Sequence, residues 1–101
     1  MSEFQLKLYV TGDTSRSQLA IRNLHDLCER YLPGRYDVEV IDLLEHPEEA
    51  EKHRILATPM LLKVLPPPIG RIIGDLSDSR NVLIGLGLPQ SDDSSGDDDG
   101  I

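Results

Sequence analysis

From Phe4 to Val10 apolar and polar positions alternate: Phe4, Leu6, Leu8 and Val10 on one side, Gln5, Lys7 and Tyr9 on the other. That period of two predicts a strand. Thr11-Gly12-Asp13-Thr14 is turn material, and Asp13 or Thr14 can cap the helix that follows. Ala20, Ile21, Leu24, Leu27, Cys28 and Tyr31 then recur at steps of three and four and form one apolar stripe, up to the stop at Pro33-Gly34. Tyr36, Val38 and Val40 alternate again, and the pattern switches faces at Ile41 and Leu43. A strand apolar on both faces near its end fits a buried parallel position. Strand, helix and strand predict a right-handed parallel βαβ unit. His46-Pro47-Glu48-Glu49 opens a short helix, with proline in its first turn and two glutamates at the positive end of the dipole.

The second half is less determined. Met60 to Leu65 and Arg71 to Leu76 read as two strands joined across Pro66-Pro67-Pro68. Asn81 to Leu88 follows the caps Ser77 and Asp78 and reads as a terminal helix. Gly85 and Gly87 oppose that helix by roughly 1 kcal/mol each relative to alanine, and periodicity alone does not type such short apolar runs. The whole order is βαβαββα, the thioredoxin order, with one domain over residues 1–88. In that fold the Thr58–Pro59 bond is expected to be cis, which X–Pro bonds permit at low cost.

Charge changes the picture at two places. The net charge of −8 is concentrated at the end, where Asp92, Asp93, Asp97, Asp98 and Asp99 stand without a basic residue. Removing these five charges leaves −3 on residues 1–88, and residues 89–101 read as a disordered acidic tail. Conversely, no acidic residue lies between Lys52 and Gly74, where Arg54, Lys63 and Arg71 sit among apolar and proline residues. This combination points to a surface for an acidic partner, with charge steering association. Nucleic acid is excluded as a partner, because the domain is not basic and has only Phe4, Tyr9, Tyr31 and Tyr36 for stacking. No stretch is long enough to span a membrane, and the N-terminus lacks a signal peptide. The expected location is the cytoplasm.

Enzymatic chemistry finds little support. Thiol exchange needs a thiolate, typically at a helix N-terminus, yet the first turn reads Thr11-Gly12-Asp13-Thr14-Ser15-Arg16 and the single cysteine, Cys28, lies on the apolar stripe. His25, His46 and His53 make no metal spacing, and Glu48, Glu49 and Glu51 read as an exposed helix face. No phosphate loop or nucleophile elbow occurs. No catalytic residue, metal or cofactor is expected.

Four stretches carry a resemblance: Lys7 to Thr14 (KLYVTGDT), Val40 to Glu51 (VIDLLEHPEEAE), Ile55 to Pro68 (ILATPMLLKVLPPP) and Arg71 to Leu86 (RIIGDLSDSRNVLIGL). They resemble the KaiB family of clock proteins and its bacterial relatives, over about Leu6 to Leu88. The resemblance implies a non-enzymatic protein that binds the N-terminal ATPase ring of a KaiC-type hexamer. In a full clock it further implies recruitment of KaiA and displacement of a sensor histidine kinase with a similar domain. It also implies two folds, a thioredoxin-like monomer that binds and a βαββααβ homotetramer. Carried over, Arg54, Lys63 and Arg71 are candidate partner contacts, and Phe4, Gly85 and Gly87 are candidates for setting the fold equilibrium. Gly87 stands where clock members commonly have Asp, and Pro89-Gln90 replaces their Leu-Tyr, which favours the thioredoxin-like monomer. A stress-response adaptor without an oscillator role and a glutathione-type thioredoxin-fold enzyme are the competing functions.

Overall fold

A computed structural model describes residues 3–88. The expectation of a disordered tail over residues 89–101 lies outside the described residues. The elements run β1 (Phe4–Val10), α1 (Ser15–Tyr31), β2 (Tyr36–Asp42), α2 (Pro47–Lys52), β3 (Met60–Leu65), β4 (Gly70–Ile73) and α3 (Ser79–Leu86). This is the expected thioredoxin-like βαβαββα order.

The strands form one sheet in the order β2-β1-β3-β4. β1 runs parallel to β2 and antiparallel to β3, and β4 is antiparallel to β3. The parallel pairing of β1 and β2 agrees with the βαβ reading, but β2 is an edge strand and not a buried one. Its Val40 is 44% exposed and only Ile41 is buried. The face switch that suggests two-sided burial reflects Ile41 entering the smaller of two cores.

Those two cores lie on opposite faces of the sheet. The larger joins Phe4, Leu6, Leu8 and Val10 to Ala20, Leu24, Leu27 and Cys28 of α1 and to Val82, Leu83 and Leu86 of α3. The smaller gathers Tyr9, Ile41, Ile55, Met60 and Leu62, with Ala50 of α2 packed against it. The alternation of β1 therefore dictates both faces: its even-numbered residues meet α1 and α3, and Tyr9 meets α2.

Caps account for the helix limits. Thr14 Oγ1 accepts a hydrogen bond from Ser17 N at 3.1 Å and starts α1. Asp78 Oδ1 accepts from Asn81 N at 3.3 Å and starts α3. α3 ends in a double closure, with Gly87 N donating to Ile84 O (3.0 Å) and Leu88 N to Leu83 O (2.9 Å). Gly87 has φ 76°, the left-handed conformation that this closure needs and that glycine adopts without penalty. Gly87 is thus outside the helix and ends it, contrary to the expectation that it weakens a helix reaching Leu88. Gly85 does lie within α3, where a Cβ would stand 2.5 Å from Ile72 Cδ1. Its lack of a side chain lets α3 settle onto β4.

Candidate docking surface

The turn after β1 and the loop before β3 meet at one end of the sheet. Thr11 Oγ1 and Thr58 Oγ1 share a hydrogen bond of 2.7 Å, and the Thr58–Pro59 peptide is cis, as are Leu65–Pro66 and Pro67–Pro68. Pro59 O accepts from Gly74 N at 2.8 Å, which brings the end of β4 alongside the same loop. Asp42 Oδ1 completes the frame by accepting from Gly12 N and Leu44 N, each at 2.9 Å. The Gly12 and Leu44 amides hold the Asp42 carboxyl below the usual carboxylate range.

The turn from Thr11 to Thr14, which leads into α1, holds no cysteine. Cys28 is fully buried in α1, and burial pushes its thiol up to about 12. At neutral pH it carries almost no thiolate, so it is a small core residue and no nucleophile.

Beneath the loop, α2 rests on the ring of Tyr9. Tyr9 Oη donates to Glu49 Oε1 at 3.5 Å, and His53 Nε2 lies 3.4 Å from the same oxygen. Burial, together with the Glu49 carboxylate, pushes the Tyr9 phenol up to about 12. It therefore stays neutral and serves as a prop.

The three basic residues separate. Arg54 and Arg71 are both exposed, and Arg71 Nη1 donates to Arg54 O at 3.3 Å. Arg71 is paired across the ladder with Leu62, so it projects on the α2 side. Lys63 is not on this surface. It is only 4% exposed, lies on the α1/α3 side with Leu61, and its Nζ donates to Leu86 O at 3.4 Å. The expectation of three cations on one surface is corrected by the strand period: residues 62 and 63 of a strand face opposite ways. Lys63 instead satisfies a carbonyl in the last turn of α3. Phe4 is buried in the larger core, and Gly85 and Gly87 sit at α3 as described above.

One feature of the surface is hidden in the sequence. Leu56 is 93% exposed. It occurs within the apolar run that feeds β3, and nothing in that run distinguishes it from Ile55, which is buried.

Comparison with known proteins bears on this arrangement. The family model described as the KaiB domain matches residues 7–88. A relative named circadian clock protein KaiB3, from Synechocystis sp., is 49% identical over 88 residues, covering 87% of this chain and 86% of its own length. Among solved structures, the N-terminal domain of Synechococcus elongatus SasA is similar with a TM-score of 0.72 at 21% identity, covering 90% of each chain. Chloroplastic thioredoxin z is similar with a TM-score of 0.69 at 21% identity, covering 85% of this chain and 78% of its own. The two structures establish a thioredoxin-like fold. The family model and the relative, matched over nearly all the described residues, show that this chain belongs to the KaiB family.

Proposed function

We propose that this chain is a non-enzymatic docking protein of a circadian or related timing system, and that it binds the N-terminal ATPase ring of a KaiC-type hexamer. The observation that carries this reading is the end of the sheet around Pro59. Thr58 is hydrogen-bonded to Thr11 of the turn before α1, that turn holds no cysteine, and exposed Arg54 and Arg71 are linked beside it. Such a site recognises a protein surface and has no group to exchange electrons with it. In a full clock the same thioredoxin-like form would recruit KaiA and displace a sensor histidine kinase from the ring, in the cytoplasm. No helix among the described residues is long and apolar enough to cross a membrane.

The proposal includes the two-fold behaviour of the family. Phe4, Gly85 and Gly87 bias the equilibrium toward the thioredoxin-like monomer: Phe4 by burial in the larger core, Gly85 by admitting α3 onto Ile72, and Gly87 by closing α3. Lys63 joins them as the buried donor to Leu86 O. Two packings of one sequence need to lie within a few kcal/mol for such exchange.

The test is to mix the protein with a purified KaiC-type hexamer from its own source and measure binding by size-exclusion chromatography with light scattering. A co-eluting complex is expected, weakened at least about tenfold by Arg54→Glu. No complex would reject the docking reading, and an unchanged affinity in the variant would remove Arg54 from the interface.

A further inference from the structure

We propose that Leu56 is the apolar anchor of the docking surface, seating in a pocket of the partner protein whose rim carries carboxylates. This rests on the docking reading above and names the chemistry of the partner's side.

Leu56 is the most exposed of the large apolar side chains among the described residues, at 93%. It is not on a loose loop. On one side Arg54 takes a left-handed turn (φ 53°), Ile55 N donates to Ala50 O at 2.8 Å, and the Ile55 side chain enters the smaller core. The Arg54 carbonyl is held by Arg71 Nη1 at 3.3 Å. On the other side Thr58 is tied to Thr11, and Pro59 O is tied to Gly74 N. The backbone thus holds Leu56 out between two fixed points, so little ordering cost remains when a partner covers it. A non-glycine residue in the left-handed region carries a local penalty, and here that turn is what sends Ile55 inward and Leu56 outward.

The surroundings specify the partner. Arg54 precedes Leu56, Arg71 is hydrogen-bonded to Arg54, and no carboxylate side chain occurs in the chain from His53 to Ile73. Ile73, 61% exposed at the end of β4, adds apolar surface beside the loop. An exposed apolar side chain two residues from Arg54, whose carbonyl binds Arg71, complements an apolar pocket with an acidic rim. Nucleic acid fits poorly, because no aromatic residue occurs from Arg54 to Ile73 to stack a base.

The experiment measures binding to the KaiC-type hexamer by interferometry at low and high salt, for the unaltered chain, Leu56→Ala, Leu56→Met and Arg54→Ala. Thermal unfolding of Leu56→Ala checks that the fold is intact. Leu56→Ala is expected to weaken binding at least about tenfold at both salt concentrations, while Leu56→Met stays within about threefold. The Arg54→Ala loss should shrink at high salt, since exposed charges are then screened. If the unaltered chain binds and Leu56→Ala binds equally well, the anchor role is overturned and the docking reading stands. If the unaltered chain does not bind, both fall. Leu56-dependent binding to anionic lipid vesicles or Leu56-dependent self-association, without hexamer binding, would overturn the acidic-pocket partner.

Discussion

Among single residues, similar side chains are sorted by which way the backbone points them. Arg54 and Arg71 reach solvent together, whereas Lys63 is turned inward to Leu86 O. Cys28 is neutral core, held there by the apolar stripe of its helix. Gly87 holds a restrictive conformation at the end of α3, because a Cβ at φ 76° clashes with the following carbonyl. Gly87→Ala is therefore expected to destabilise the protein by about 1 kcal/mol. Gly87→Asn should cost less, since asparagine tolerates this region. Urea unfolding midpoints check both, and an unperturbed Gly87→Ala midpoint would mean that α3 does not close as described. The place of Cys28 is legible in the sequence, because the apolar stripe marks it. The inward turn of Lys63 is not, because it depends on the register of β3 against its neighbours.

Among the elements, the first half of the chain is locally specified. Thr14 caps α1, Pro47 opens α2, and β1 alternates cleanly. The edge position of β2 escapes a local reading, because sheet order is a relation between strands. Asp42, at the end of β2, ties the turn after β1 through the Gly12 and Leu44 amides. Its folded pKa is lowered, so its contribution is fully present above the ordinary carboxylate pKa of about 3.9 and is lost as pH falls through the lower folded value. Asp42→Asn keeps the acceptor and removes the titration. It is expected to flatten part of the acid-side loss of stability, read as unfolding midpoints from about pH 6 down to about pH 2. Identical acid limbs for the two proteins would show that Asp42 does not contribute in this way. Asp75, lowered first by the Ser77 hydroxyl and then by its amide, accounts for part of what remains.

For the molecule as a whole, two cores on opposite faces of one small sheet leave one end for the loop proposed to dock. Nearly all the large apolar residues of β1 and β3 are consumed by those cores. The exposed apolar residues that remain include Leu56 and Ile73, which belong to the proposed docking surface, and Val40 on the β2 edge. Both cores are formed by residues of one chain. Light scattering is accordingly expected to give a mass near that of one chain, 11.3 kDa. A stable tetramer at the same concentration would show that the alternative packing dominates.

The first half of the chain is written in local sequence: the strand of β1, the stripe and cap of α1, and the proline-led start of α2. The lack of a cysteine in the first turn belongs there too, and it takes thiol chemistry away from a thioredoxin layout. Packing between distant segments decides the rest. It places β2 at an edge, sends Lys63 to the opposite side of the sheet from Arg71, and holds Leu56 out while burying Ile55. One cause is common to all three. Composition and periodicity report what a side chain is and how often its kind recurs. Facing and exposure depend instead on hydrogen bonds and packing between segments far apart in the chain, such as Arg71 to Arg54 and Gly74 to Pro59.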